Sequence, residues 1–303
     1  MQEKISFKNS NNQEILMSAV INYPINFDKT KKYPAIVVAH PGGGVKEQTS
    51  GLYAKKVSES GFITIAYDAS YQGESGGVPR QLENPFIRVD DISAVIDYLL
   101  TLNFVDKEKI GAIGVCAGGG YTIEAAKKDR RIKALATVSG ADFGEVLRRG
   151  WMGDQPTSLV NDLLLNASNQ RSAEALGADV FMIPLASDKN TNELEEHNEG
   201  YEYYRTKRAM HPNSPSMMPF TSVANLINFN TYSNLDFLLT QPILLIAGSR
   251  AKTKWLSDKW FAQITSPKKL LSIENASHFD MYDGEEYVDE AVSELKTFFK
   301  ENL

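Results

Sequence analysis

Short apolar runs alternate with helical patterns along most of the chain. Continuous apolar runs, typical of strands buried on both faces, occur at 34–40, 62–67, 110–115, 132–138, 243–247 and 269–273. Residues 14–23 alternate instead, as in a strand with one buried face. Helical patterns lie between the runs, at 48–60, 90–103, 118–128, 257–265 and 284–300. Buried strands joined by helices predict a mostly parallel twisted sheet with helices on both faces.

This alternation breaks down between residues 141 and 240. The stretch is polar, has clusters of Asn, Ser and Pro, and shows no clear strand run, yet it is rich in aromatic residues and methionines. We expect it to form a mainly helical cap over the carboxyl edge of the sheet, where open α/β sheets hold their ligands. The predicted division is therefore a core of 1–140 and 241–303 with a cap insertion of 141–240.

Composition narrows the classes of function. The 303 residues are 42% hydrophobic, which suffices for one large α/β domain with an insertion. A net charge of −6 and the lack of a basic run argue against a nucleic-acid partner. The polar first ten residues and the lack of any apolar stretch near ~20 residues predict no signal peptide and no membrane span. We therefore expect a cytoplasmic protein, and the sequence leaves open whether it is a monomer or a homodimer.

Residues 114–120 read Gly-Val-Cys-Ala-Gly-Gly-Gly, and Cys116 is the single cysteine of the chain. An apolar run precedes this segment and helix formers follow it, which predicts a nucleophile elbow with cysteine in place of serine. Gly114 and Gly118 would remove Cβ atoms from a crowded turn. A position at a helix N-terminus would favour the thiolate. The alternative is a buried cysteine acting as a small hydrophobic residue.

One histidine is placed to serve this cysteine as a base. His278 follows the last predicted strand, so its loop should open on the same sheet edge as the elbow. His197 lies in an acidic run and is interpreted as a surface side chain, and His211 as structural or as part of a pocket. The single cysteine excludes a disulfide and a thiolate metal cluster, and we expect no metal or cofactor.

The fourth histidine, His40, ends an early strand and begins the segment His-Pro-Gly-Gly-Gly. Such a loop supplies an oxyanion-hole N–H in hydrolases with a nucleophile elbow. Glycines allow the backbone to approach a developing oxyanion, which N–H groups then stabilise as its charge grows. The predicted donors are the backbone amides near Gly42 and Gly43, with the amide of Ala117 next to the nucleophile.

These motifs together resemble the α/β-hydrolases, in particular the branch similar to dienelactone hydrolases. The bacterial members share His-Pro-Gly-Gly-Gly-Val-Lys-Glu-Gln, found here at 40–48, and Asp-Ala-Ser-Tyr-Gln-Gly-Glu-Ser-Gly-Gly, found at 68–77. They also carry His-Pro-Asn-Ser, found here at 211–214, and fungal polyketide-transferase-like proteins look related. The resemblance covers essentially the whole chain. It implies a Cys or Ser nucleophile, a His base and a pocket roofed by the insertion, but no particular substrate.

The catalytic acid does not lie where this family pattern places it. The acid should follow the penultimate strand, but Ala251 occupies the position where many relatives carry Asp. The next carboxylate is Asp258, and Asp142, just after the 132–138 strand, is the other candidate. We favour Asp258 slightly. A Cys–His site also functions with a weak orienting partner, because a thiol ionises more readily than a hydroxyl.

The sequence thus predicts a hydrolase of esters, lactones or thioesters that forms a covalent thioacyl intermediate on Cys116, with a small-molecule acyl substrate. Acyl transfer to another acceptor and C–C bond hydrolysis are alternatives within the enzymes, and a non-catalytic ligand-binding protein is the alternative outside them. Candidate pocket residues are Tyr71, His211, Met217 and Met218, because methionines and aromatic rings suit an adaptable apolar site.

Overall fold

The centre of the molecule is an eight-stranded sheet with the order β1-β2-β4-β3-β5-β6-β9-β10. The structure, a computed structural model, describes residues 1–11, 14–187 and 194–303. Its strands are β1 Gln2–Lys8, β2 Leu16–Asn22, β3 Tyr33–Ala39, β4 Ile63–Tyr67, β5 Val105–Val115, β6 Ile132–Val138, β7 Met182–Pro184, β8 Met217–Pro219, β9 Ile243–Gly248 and β10 Lys268–Ile273. Strands β7 and β8 form a separate antiparallel pair.

The large sheet is parallel except at one edge. Strand β2 runs antiparallel to both β1 and β4, whereas every neighbouring pair from β4 to β10 is parallel. In β3, Val37 pairs with Ile65 on one side and with Ala112 on the other. The carboxyl ends of the six parallel strands therefore meet at a common edge. This arrangement confirms the predicted mostly parallel sheet.

Helices cover both faces of the sheet. They are α1 Thr49–Ser58, α2 Pro85–Leu99, α3 Ala117–Lys128, α4 Phe143–Arg149, α5 Leu159–Ala175, α6 Glu195–Arg205, α7 Ser222–Asn228, α8 Leu235–Leu238, α9 Lys254–Gln263, α10 Asp280–Asp283 and α11 Glu285–Asn302. Helices α2 and α3 pack on one face, and α1 and α11 on the other. Strand β3 shows why two cores form, since Val37 contributes to one and Val38 to the other.

The predicted strand and helix ranges match these elements with shifts of a few residues, apart from β1. The sequence of β1 is charged and largely exposed, so it gives no apolar run. It is held as an edge strand by its backbone pairing with β2, whose Met17, Ala19 and Ile21 are buried. Helix α2 begins at Pro85, earlier than expected, because the side chain of Asn84 accepts from the Phe86 N–H and caps it.

The segment between β6 and β9 is mainly helical, with α4 to α8 and the pair β7–β8. The pair β7–β8 has only three residues in each strand, so it gives no clear strand run in the sequence. A third apolar cluster lies inside this segment and contains Met218, Val223, Leu226 and Ile227. Throughout the described ranges, no helix combines the length and the apolar character that crossing a bilayer requires. The boundaries of a cap at 141–240 stay a prediction.

Candidate active site

The sharp turn predicted at 114–120 is present between β5 and α3. Cys116 has φ 53° and ψ −123°, a backbone conformation that non-glycine residues rarely adopt. A Cβ on Gly114 would lie 2.2 Å from the Gly118 carbonyl oxygen, and a Cβ on Gly118 would lie 2.5 Å from the Ala39 carbonyl oxygen. Both positions therefore require glycine. The turn presents the thiol at the carboxyl edge of the sheet.

The thiol of Cys116 is neutral at rest, contrary to the expectation that the helix N-terminus favours a thiolate. Burial raises the pKa of this thiol, although the neighbouring Tyr282 hydroxyl and the Ala117 amide act in the opposite direction. The free-energy cost of removing a thiolate from water exceeds the stabilisation that one helix N-terminus and two polar neighbours provide. If this thiol acts as a nucleophile, it must therefore lose its proton during the reaction itself.

The glycine loop after β3 lies across from the thiol. Gly42 and Ala117 line the same cavity as Cys116. Gly43 is not part of that lining; it has φ 65°, and its carbonyl accepts a hydrogen bond of 2.7 Å from the Ser214 hydroxyl. A Cβ on Gly43 would lie 2.6 Å from Leu185 Cδ1. Of the three predicted oxyanion positions, the structure thus brings Gly42 and Ala117 to the cavity.

His40 fixes the backbone of this loop and does not face the thiol. Its Nδ1 lies 2.7 Å from the Pro41 carbonyl oxygen, and its Nε2 accepts from the Ala69 N–H at 3.1 Å. The ring is fully buried, and desolvation followed by the charge of Arg88 lowers its pKa well below the ordinary value. A neutral imidazole with both nitrogens satisfied has a bracing role.

His278 lies in the loop after β10, at the predicted edge of the sheet. Its Nδ1 is 2.6 Å from Thr253 Oγ1, and its Nε2 is 3.2 Å from the Tyr282 hydroxyl. The side chain is fully buried, and desolvation lowers its pKa from 6.5 to about 3. The hydroxyl of Tyr282 is also a neighbour of the Cys116 thiol, and both side chains border the same cavity. The structure therefore places His278 and Cys116 on either side of this hydroxyl.

Neither predicted acid contacts His278. Asp258 points to the surface side of α9 and pairs with Lys254 at 2.6 Å, with its side chain about half exposed. Asp142 caps α4, where it accepts from the Glu145 N–H at 2.7 Å and from Thr231 at 2.8 Å. The hydroxyl of Thr253, just before α9, occupies the position expected for a carboxylate. The predictions of Asp258, or of Asp142, as the partner of His278 are therefore corrected: the partner is the hydroxyl of Thr253.

A carboxylate that sequence reasoning missed lies nearby on α6. Glu196 Oε1 accepts from the backbone N–H of His278 at 3.2 Å and from that of Lys252 at 2.9 Å. Its Oε2 accepts from Trp151 Nε1 at 2.6 Å. The side chain is buried, although it belongs to the run of acidic residues that was interpreted as solvated. The sequence of this run does not indicate that Glu196 is buried, because the hydrogen-bond partners of its carboxylate are two backbone amides and an indole that are distant in sequence.

A cavity of about 190 Å³ opens at Cys116. Most of its lining is apolar and comes from the segment between β6 and β9. The lining residues are Pro41, Gly42, Cys116, Ala117, Ala141, Phe143, Val146, Trp151, Leu185, Ala186, Ser187, Glu196, His197, Gly200, Tyr204, Ser216, Phe279 and Tyr282. His197 is exposed on one side, as expected, yet its ring lies 5.8 Å from Trp151 and borders the cavity.

The four predicted pocket residues do not border this cavity. Met218 is buried in the third apolar cluster, and the Met217 sulfur accepts from Arg205 at 3.6 Å. Tyr71 packs on Gly77, where a Cβ would lie 2.5 Å from its ring. His211 accepts from the Asn213 N–H at 3.3 Å in a separate surface groove. Met218 therefore packs inside the segment between β6 and β9 and does not line the cavity, although the sequence predicted that it would.

Known proteins are similar to this chain in sequence and in fold. Residues 18–155 match the model of the Dienelactone hydrolase family. The chain is 50% identical to the Uncharacterized protein YcjY of Escherichia coli strain K12 over 305 residues, which cover all of both chains. The crystal structure of the hypothetical protein PA2218 from Pseudomonas aeruginosa superposes with a TM-score of 0.93 at 33% identity, covering 100% of this chain and 94% of the other. The chain belongs to the dienelactone-hydrolase-like α/β-hydrolases.

Two fungal relatives of this α/β-hydrolase carry names that state a chemistry. Acyltransferase drtE of Aspergillus calidoustus is 24% identical over 283 residues, which cover 90% of this chain and 89% of drtE. Thiohydrolase aneE of Aspergillus aculeatus is 24% identical over 280 residues, which cover 89% of this chain and 86% of aneE. The predicted family and the predicted α/β-hydrolase fold are confirmed, and the chain is a hydrolase of this family.

Proposed function

We propose that this α/β-hydrolase cleaves an ester or a thioester through a covalent thioacyl intermediate on Cys116. One observation carries the proposal: the thiol opens into an apolar cavity beside the amide of Ala117, and Tyr282 links it to the imidazole of His278. Nucleophile, base and amide donors are the three parts that acyl transfer requires. The family match and the names of the fungal relatives support the same chemistry.

The reaction follows from these positions. Cys116 attacks the substrate carbonyl as its proton moves toward His278, and the amides of Ala117 and Gly42 stabilise the oxyanion. The tetrahedral intermediate then collapses, and the proton returns to the departing alcohol or thiol. Water attacks the thioacyl group, with His278 as the base again, and releases the acid together with the free thiol.

Two features of the site favour activated acyl substrates. The group that orients His278 is the hydroxyl of Thr253, which stabilises an imidazolium less than a carboxylate does. The pKa of His278 is lowered to about 3, so the resting imidazole is a weak base. Both make deprotonation of the thiol difficult, and so favour reactive carbonyl groups, such as those of thioesters and activated esters, over amides. A C–C bond makes still greater demands on the site.

The size of the cavity limits the acyl group. An apolar cavity of about 190 Å³ accommodates a short acyl chain or a single ring rather than a long fatty acid. Transfer of the acyl group to an acceptor other than water is the second candidate. The name of drtE favours it, and the same thioacyl intermediate would serve both reactions.

The test is an acyl panel with two kinds of leaving group. p-Nitrophenyl esters and thioesters of N-acetylcysteamine, with acyl chains from two to ten carbons, would be assayed with the purified protein. We expect a burst of about one equivalent, highest kcat/KM for the short chains, and a mass increase on Cys116 equal to the acyl group. Adding alcohols or amines separates transfer from hydrolysis. Absence of both burst and turnover across the panel would refute the proposal.

A further inference from the structure

Tyr282 occupies the position between the two groups that must exchange a proton. It lies in the short helix α10, four residues after His278, and its side chain is almost fully buried. The hydroxyl is 3.2 Å from His278 Nε2, and Tyr282 borders the cavity together with its neighbour Cys116. Tyr282 borders the cavity, whereas His278 does not appear among the described residues that line it. The hydroxyl of Tyr282 therefore lies between the imidazole of His278 and the cavity.

The groups around this hydroxyl are all neutral at rest. Burial raises the pKa of Tyr282 well above its usual value, and it raises that of the neighbouring Tyr204 as well. The ring of Tyr204 lies 6.4 Å from that of Tyr282, on the α6 side. Because burial disfavours a phenolate and a thiolate, moving both protons together avoids placing charge on the phenol.

We propose that Tyr282 is a catalytic residue that relays the thiol proton to His278, an inference that rests on the proposed function of Cys116 as the nucleophile. As the sulfur–carbon bond to the substrate forms, the S–H bond breaks and its proton passes to the Tyr282 oxygen. The O–H bond of Tyr282 breaks together with it, and that proton passes to Nε2 of His278. The phenol remains neutral throughout. When the C–O or C–S bond to the leaving group breaks, the proton on Nε2 passes to the Tyr282 oxygen and the Tyr282 O–H proton passes to the departing alcohol or thiol.

Thr253 positions the receiving nitrogen. Its Oγ1 lies 2.6 Å from Nδ1 of His278, so a proton on Nδ1 has an acceptor and Nε2 keeps a free lone pair toward Tyr282. The T-shaped contact of the Trp151 ring, with centroids 5.0 Å apart, restricts rotation of the imidazole. Thr253 and Trp151 thus hold the imidazole at the receiving end of the relay.

The test compares Tyr282→Phe with Tyr203→Phe. Tyr203 is a matched control: it is buried beside Tyr282 with ring centroids 5.0 Å apart, but its hydroxyl accepts from the backbone N–H of Thr49. We expect Tyr282→Phe to slow single-turnover acylation by a p-nitrophenyl ester about 100-fold or more, the usual range for losing an acid–base group. Tyr203→Phe should stay within about threefold, well below that range.

A second measurement uses the unaltered protein, in case Tyr282→Phe does not fold. A proton inventory of acylation in H₂O–D₂O mixtures should be curved, because two protons move together. A linear inventory, or acylation by folded Tyr282→Phe within about threefold of the unaltered enzyme, would overturn the relay, since removing an acid–base group costs far more. If the unaltered enzyme forms no thioacyl group at all, the proposed function fails, and that result is distinct from failure of the relay alone.

Discussion

The two halves of the site are built in different ways. The half that holds Cys116 consists of backbone: a turn with two obligatory glycines, a neighbouring glycine loop and a helix N-terminus. The half that holds His278 consists of side chains from four separate segments, namely Thr253, Tyr282, Glu196 and Trp151. A backbone site is specified locally by glycine spacing, whereas a side-chain site depends on which distant elements the fold brings together.

The largest expected effect comes from removing the nucleophile. Cys116→Ala should lower kcat by about three orders of magnitude or more, because the thioacyl intermediate cannot form. Iodoacetamide should label the unaltered protein on this residue alone, with a labelling midpoint above that of an ordinary thiol near 8.5, since burial raises its pKa. Retention of more than about a hundredth of kcat, far above the cost of losing a nucleophile, would refute the role of Cys116.

The backbone half can be tested through its glycines. Gly118→Ala places a Cβ 2.5 Å from the Ala39 carbonyl oxygen, so backbone must move, and overpacking of this kind costs about 1–3 kcal/mol. Gly76→Ala is the control, because its nearest neighbour would be at an ordinary 3.5 Å. Urea unfolding should show a loss of stability for the first variant and little change for the second. Equal stability of the two would show that the elbow is less crowded than the distances indicate.

The side-chain half is tested by comparing a hydroxyl with two carboxylates. Thr253→Val removes the partner of Nδ1 and should reduce kcat about tenfold, which corresponds to one hydrogen bond of about 1.4 kcal/mol. Asp258→Asn should stay within about twofold, since its partner is Lys254 on the surface, where ion pairs contribute little. Asp142→Asn should affect stability more than kcat, because Asp142 caps α4. The reverse ranking of Thr253 and Asp258 would restore Asp258 as the acid.

The smallest effect concerns acid stability. The pKa of His278 is about 3 in the folded protein and 6.5 in its ordinary state, so between these values the unfolded chain binds a proton that the folded one does not. Stability is therefore fully present above pH 6.5 and falls as the pH drops. Between pH 7.5 and 5.5, His278→Asn should lose about 1.4 kcal/mol less than the unaltered protein in urea unfolding. Equal losses would place the imidazole in contact with solvent.

The difference between the backbone half and the side-chain half of the site also explains what could be predicted from the sequence. The sheet, the helices and the turn at Cys116 were predictable, because apolar runs and glycine spacing report on local backbone and burial. The position of His278 was predictable as far as its loop, because in a parallel sheet the loops after the strands lie at the same edge. Its partners were not, because the hydroxyl of Thr253 and the buried carboxylate of Glu196 resemble ordinary surface residues in sequence. Met218 was misassigned to the pocket because a core inside an insertion and the wall of a pocket have the same composition.

Glu196 has a consequence for how this enzyme can diversify. One carboxylate joins α6 to the backbone on both sides of the base, at Lys252 and at His278. The roof of the cavity and the position of the imidazole are thereby mechanically coupled. The segment between β6 and β9 therefore cannot be exchanged independently of the rest of the site. Replacing it with that of a relative would change the cavity lining and would also shift the loop that carries His278.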